Sequence, residues 1–431
     1  MHNSKAMEPL RASVIGAAGG RAETDYVNGF IFWSLVLYMS TLVYEGPLRY
    51  VLSTLGLGTF IYLRDALSAM VISLGVFQAV KINRNIYDPL IIVIYTLLVW
   101  ALLGLLIHDV TLFPTLFGLK ILSVFLLGMS SAKAVEIYES RFRLTIYFFV
   151  VTTILGVITN YILGKLPWEG LTYETSFGVV STTKEWWTEG ERRLPGFARA
   201  SFDAAMIIGL GAAYLISRLS YTKFLIFIAI SFVGIYLTTT KGMLLALALV
   251  FAWRSIPGAS LRRYLGTALC FAILVGMIIL PAMSCALNFS YELMHDVPKI
   301  LSSFAERIVS MWPKSCSILV TPYSWFIGAG IGSIGVPQQY SNLTSGYSAA
   351  DNLFVYLYVM GGIPFAVAFI ATVSKILQKH VIAGLSSIDA RALLIAMLAY
   401  GVTTNMQEQP FFAILAGILS CGAWTKDIRQ K

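Results

Sequence analysis

About twelve apolar runs divide this chain, and a helix of roughly 20 apolar residues is what crosses a hydrocarbon layer ~30 Å thick. They lie near residues 27–45, 62–80, 88–107, 113–131, 143–163, 200–218, 223–239, 241–254, 264–283, 351–373, 390–408 and 409–425. With 57% hydrophobic and 12% charged residues, this is the composition of an integral membrane protein rather than of a large soluble core. The expected fold is therefore all-α, a single polytopic membrane domain over residues 27–425. Residues 1–26 are polar and rich in small side chains, and no A-x-A site follows the first apolar run. They read as a disordered cytoplasmic tail rather than a cleaved signal peptide, with a second short cytoplasmic tail at 426–431.

A net charge of +9 invites a nucleic-acid reading, but there is no basic arm and the cations sit in short connections. Nineteen of the 31 Lys and Arg fall in alternate connections and in both tails, which marks that side as cytoplasmic. Of the remainder, Arg49 and Arg64 flank the first outer turn and Lys120 lies inside an apolar run. Nine more gather on the disfavoured side: Lys165, Lys184, Arg192, Arg193, Arg199, Lys241, Lys299, Arg307 and Lys314. Cations kept where the topology rule opposes them need another cause, and an anionic ligand is the simplest.

Two outer loops hold most of these cations, residues 164–199 and 284–350. In the second, an amphipathic stretch follows Pro298; Ile300, Phe304, Ile308 and Met311 share one helical face and Ser303, Arg307, Ser310 and Lys314 another. Pro313 is expected to end that helix. Cys285 and Cys316 both fall in this loop and are free to pair in an oxidising compartment, though spacing alone does not show that they do. The four cysteines form no CxxC pair and give no metal-site pattern. No internal repeat is visible, which weighs against a transporter built on inverted repeats.

Each motif has a structural reading beside the functional one. In ERRLPGFARASFD, Arg192, Arg193 and Arg199 surround Gly196, where backbone can approach a ligand, and the same arginines would serve as headgroup anchors. In TTTKG, Lys241 sits at the membrane surface as a ligand cation or a snorkelling lysine. The glycines of GAGIGS form either an amide nest for a phosphate or a tight packing turn. Asp351-Asn352 opens the tenth run, where an acid is favoured by the helix dipole or faces a hydroxyl substrate. Lys120 is an intramembrane site or the partner of an acid such as Asp65.

In this order the motifs resemble the bacterial O-antigen ligase/polymerase superfamily, which includes exopolysaccharide repeat-unit polymerases. Arg193-Leu194-Pro195-Gly196-Phe197 matches an Arg-x-x-Gly-Phe-like lead-in to a middle span. Thr239-Thr240-Lys241-Gly242 matches a Thr-Ser-Arg-Gly-like turn, and Arg307 with, one residue late, Trp312 an Arg-x-x-x-Trp-like helix in a long periplasmic loop. Gly328, Gly330 and Gly332 form the glycine turn, and Asp351-Asn352 begins the next span with Gly361-Gly362 below it. The resemblance covers residues 27–425. Lys241 stands where the family usually has Arg, and Asp351 where the ligase branch has His, which fits the polymerase branch better.

The resemblance implies a metal-independent glycosyltransferase with no cofactor, multi-pass in a bacterial inner membrane with both termini cytoplasmic. It would transfer a growing glycan from undecaprenyl diphosphate onto a lipid-linked repeat unit at the periplasmic face. Asp351 and Arg307 would be catalytic, with His295 as an alternative base; Arg193, Lys241, Arg199, Arg192 and Lys120 would hold the diphosphate. The implied partners are the lipid-linked donor and acceptor, membrane lipid and a chain-length regulator protein, with no nucleic acid. The alternatives are an O-antigen ligase with a lipid A-core acceptor and, in another class, a lipid-linked oligosaccharide flippase.

Overall fold

The structure is a computed structural model that describes the chain except residues 1–7, 83–86, 176–177, 189, 217–218, 288, 291, 293–296, 299–300, 341–347 and 426–431. Of residues 8–24, 82, 175, 178–179 and 188 it describes the backbone. The described chain is an all-α bundle. Its helices are α1 (Glu8–Val43), α2 (Glu45–Thr54), α3 (Leu63–Phe77), α4 (Pro89–Ile107), α5 (Leu112–Ile137), α6 (Glu139–Leu163), α7 (Ser201–Leu215) and α8 (Tyr221–Leu237). They continue as α9 (Lys241–Arg254), α10 (Ala259–Leu287), α11 (Ser302–Glu306), α12 (Trp312–Cys316), α13 (Ser324–Ile327), α14 (Leu353–Gln378), α15 (Ser387–Gly401) and α16 (Pro410–Trp424). Three two-stranded hairpins decorate it: β1 (Thr172–Thr175) with β2 (Gly178–Ser181), β3 (Trp187–Thr188) with β4 (Glu191–Arg192), and β5 (Val381–Ile382) with β6 (Leu385–Ser386).

Every expected apolar run is a helix. Among the described residues, seven helical stretches are long and apolar enough to cross a membrane, so the protein is membrane-embedded. The helices α7, α8, α9, α15 and α16 are shorter, at 15, 17, 14, 15 and 15 residues. Two of them are central. Residues Ala204 to Leu215 of α7 are buried on every side, as are Ala390 to Leu398 of α15, so these helices form the bundle's centre. Lipid-type exposure falls instead on α4, α8 and α10, where Leu102, Ile226 and Val275 face outward. Glycines set the closest crossing: a Cβ on Gly128 would collide with the Ile414 carbonyl of α16, and one on Gly417 with the Phe125 carbonyl of α5.

Boundaries and one buried face differ from expectation. The first helix begins at Glu8, inside the stretch expected as a tail. In the large loop, α11 passes into a wider π turn, Arg307–Met311, and then into α12, so Pro313 does not end the helix. It lies in the first turn of α12, where its missing N–H leaves little unmade. The buried face is Ala305, Val309, Trp312 and Ser315, about one residue from the expected stripe.

The glycine turn is a packing device. Helix α14 is kinked at Gly362, with φ +60°, and carries Pro364. Pro364 has no N–H to give Met360, and the kink disturbs the next carbonyl back. The turn supplies both: Gly330 N–H donates to Met360 O at 3.0 Å and Ala329 N–H to Val359 O at 2.7 Å. Gly328, Gly330 and Gly332 have φ of +78°, +88° and +94°, and a Cβ on Gly330 would collide with Gly104 of α4. Trp100 Nε1 donates to Ile327 O at 2.8 Å, so loop backbone is buried among membrane-type helices with its polar groups satisfied. Of the two readings of these glycines, this is the tight packing turn, and two of its N–H groups are committed to α14.

Candidate functional site

At the end of the bundle where α7, α9 and α14 begin and α8, α10 and α15 end, four sequence-distant motifs converge. Helix α15 leaves its last carbonyls without intrahelical donors, and such an end favours cations and N–H donors. Arg307 Nε donates to Thr403 O at 2.8 Å, and Asn352 Nδ2 to Val402 O at 3.1 Å. Arg307 Nη1 also donates to Ser303 O at 2.5 Å, and Nη2 pairs with Asp351 Oδ2 at 2.9 Å. A guanidinium has five N–H donors. Three are used among the described residues, which leaves two for a ligand.

Asp351 is not in the first helical turn, as expected, but one residue ahead of the cap. The cap is the buried Asn352, whose Oδ1 accepts from Val355 N at 3.0 Å and whose Nδ2 also reaches Met277 O at 3.2 Å. Asp351 has φ +42°, and the preceding Ala350 +60°. Two successive left-handed residues aim the carboxylate at Arg307 instead of at the helix's own amides. Burial raises the Asp351 pKa, while the Arg307 charge opposes the rise.

Arg193 approaches from the first outer loop. Its Nε donates to Thr239 Oγ1 at 3.0 Å, and Thr239 itself has φ +56°. Burial lowers the Arg193 pKa, the phenol of Tyr400 opposes this, and the charge of Arg307 adds to it. The two guanidiniums therefore sense one another. Two residues past Thr239, the exposed Lys241 is the first residue of α9, where the dipole disfavours a cation. Its neighbour Gly242 lies against Tyr400 and Thr403: a Cβ there would meet Thr403 Oγ1 at 2.9 Å. Arg193, Lys241, Arg307 and Asp351 thus surround the end of α15.

Other expected site residues have structural partners. Arg192 pairs with the buried Glu169 in the same loop. Arg199 Nε lies 3.9 Å from Glu45, which also binds Arg49 and, at 2.9 Å, Arg64. Burial pushes the Glu45 carboxyl up, but Arg64, Arg49 and Arg199 together hold it below the usual range. Lys120 pairs with Asp65 at 2.8 Å, the structural alternative foreseen for it, and lies over the Tyr62 ring. Gly196 serves packing rather than a ligand, because a Cβ there would lie 2.7 Å from Val157 N of α6. His295 and Lys299 lie outside the described residues. Cys285 and Cys316 are joined as a disulfide.

Sequence reasoning missed Tyr400, Thr403 and Glu408, which fall within the apolar run expected over 390–408. Glu408 Oε1 accepts from Val336 N at 2.7 Å, and burial raises its pKa to about 7 against the opposing hydrogen bonds from Val336 and Tyr356. Its carboxylate feels both Asp351 and Lys184. The chain matches no family model, and no curated protein is significantly similar to it.

Proposed function

We propose that this protein is a membrane-embedded polysaccharide polymerase of the O-antigen ligase/polymerase kind. It moves a growing glycan from undecaprenyl diphosphate onto a hydroxyl of a lipid-linked repeat unit, at the outer face of a bacterial inner membrane. The observation that carries the reading is the Arg307–Asp351 pair, 2.9 Å apart, facing Arg193 and the Lys241 turn. In the step, the acceptor oxygen forms a bond to the donor's anomeric carbon and the bond from that carbon to the diphosphate oxygen breaks. The diphosphate departs with the electron pair, and the acceptor's proton goes to Asp351. Arg307, Arg193 and Lys241 stabilise charge developing on the leaving group, a task of fixed cations in a poorly solvated cleft. Burial makes Asp351 a stronger proton acceptor than an exposed carboxylate.

Two further features support this reading. The disulfide suits an oxidising compartment for the large loop, which agrees with the sorting of Lys and Arg. Five shorter helices together with seven longer ones are compatible in number with the expected twelve crossings. The test uses purified protein in detergent with the host's own lipid-linked repeat units. Asp351→Asn is expected to slow polymerisation by about 10²–10⁴-fold while donor binding persists. Lys241→Arg keeps polymer ladders and Lys241→Ala loses them. Near-normal ladders from Asp351→Asn would remove the base assignment.

A further inference from the structure

An open cleft of about 440 Å³ lies in the first outer loop, lined by Gly170, Ser181, Thr183, Lys184, Glu185 and Trp186. Its size is that of a small-molecule site. It abuts the candidate active site through the backbone: Arg193 N–H donates to Trp186 O at 3.0 Å, and Trp187 pairs with Arg192 across β3 and β4. A ligand in the cleft therefore lies beside the strand that delivers Arg193. Glu408 adds an electrostatic link, since it senses both Lys184 and Asp351.

The lining narrows the ligand's chemistry. Trp186 is 47% exposed and offers a flat apolar face. Lys184 Nζ lies 6.0 Å from that ring and 5.8 Å from Phe202, a cation held over aromatic faces. Beside them are the hydroxyls of Ser181 and Thr183 and the Glu185 carboxylate. Thr183 is buried, and its Oγ1 donates to Trp168 O at 3.3 Å. Glu185 is paired with Lys165 at 3.7 Å, and the polar lining does not suit a polyprenyl tail. A ring with an apolar face and many hydroxyls, donating and accepting in turn, satisfies every group present.

We infer that this cleft is a docking subsite for sugar units of the glycan substrate, with Trp186 stacking on a ring and Lys184, Glu185 and Ser181 meeting its hydroxyls. The inference rests on the polymerase reading for the identity of the glycan, but it can fail separately. The experiment places the photo-crosslinking residue p-benzoylphenylalanine at Glu185 in the full-length protein, in its own cells. Illumination is expected to give a periodate-sensitive, sugar-bearing adduct. Trp186→Ala should cut its yield about tenfold, the equivalent of one aromatic contact worth about 1.4 kcal/mol, and Trp186→Phe should restore it. A chain of normal abundance with no sugar-bearing adduct, or one linked to phospholipid or protein instead, overturns the inference. An unchanged yield in Trp186→Ala overturns the role of the ring. A sugar adduct together with normal polymer from Asp351→Asn would sink the proposed chemistry and leave the subsite standing.

Discussion

Asp351 Oδ2 stands 2.9 Å from Arg307 Nη2 because Asp351, at φ +42°, turns its side chain away from the helix that Asn352 caps. The chain accepts a left-handed residue there, at an expected cost of order 1 kcal/mol. Asn352 holds the junction by binding two carbonyls from different helices. The division of labour is sharp: Asn352 builds, and Asp351 is left to face a cation.

A double-mutant cycle measures that pairing. Breaking a buried pair from one side costs about 3–5 kcal/mol. Here the side chains are 17% and 23% exposed, so Arg307→Ala should fall at or below the low end. Combining it with Asp351→Asn should recover part of the loss, read as thermal unfolding in detergent. Strict additivity of the two substitutions would mean that the residues are not coupled.

Activity should show an acid limb set by Asp351. Burial holds its pKa above the exposed-carboxylate range of about 3.9, and the base works deprotonated, so the rate rises with pH through that raised value. The residual rate of Asp351→Asn should lack this limb. A limb that persists in the variant would assign the titration to another group.

Stability should carry a second, separable pH dependence from Glu408. Its carboxyl is raised from 4.5 to about 7 on folding, so between those values the folded chain keeps a proton that the unfolded chain loses. That contribution is fully present below 4.5 and is lost as the pH rises through about 7. Relative to wild type, Glu408→Gln should gain melting temperature above that range and little below it. Parallel melting curves across the range would refute the assignment.

Cysteine labelling should divide two and two. Cys270 and Cys421 are buried and free, and Cys285 and Cys316 are paired. Denatured, unreduced protein should take two thiol tags, and reduced protein four. Cys285→Ser should cost about 2–4 kcal/mol, the usual worth of a native disulfide. Four tags without reductant would rule out the bond.

Topology reporters fused after Trp186 and after Tyr340 should read periplasmic, and one after Ser260 cytoplasmic. A cytoplasmic signal at Tyr340 would put the site on the wrong side of the membrane for a lipid-linked glycan.

The helices, and three of the cations that the structure brings to one end of the bundle, were legible because both leave marks in composition. Apolar runs announce spans, and Arg193, Lys241 and Arg307 stand on the side where cations are unexpected. Composition cannot name a partner, however. Arg192, Arg199 and Lys120 look like Arg193 in the sequence, yet Glu169, Glu45 and Asp65 already hold them. The receiving end of the site was also invisible: Arg307 binds the Thr403 carbonyl, and every residue carries a carbonyl. Pro313 misled because a proline that stops an α-helix is harmless just beyond a π turn.

The glycine turn has a consequence for engineering. Its amides complete hydrogen bonds that Pro364 and the Gly362 kink leave open in α14, and Gly330 fits against Gly104 of α4. The loop and the two helices are one interlocking part, with the donors on one piece and the acceptors on another. A chimera that grafts a foreign loop onto this bundle would leave two intramembrane carbonyls unmet. Segment swaps should therefore exchange α4, the loop and α14 together, or leave all three and recombine the first outer loop.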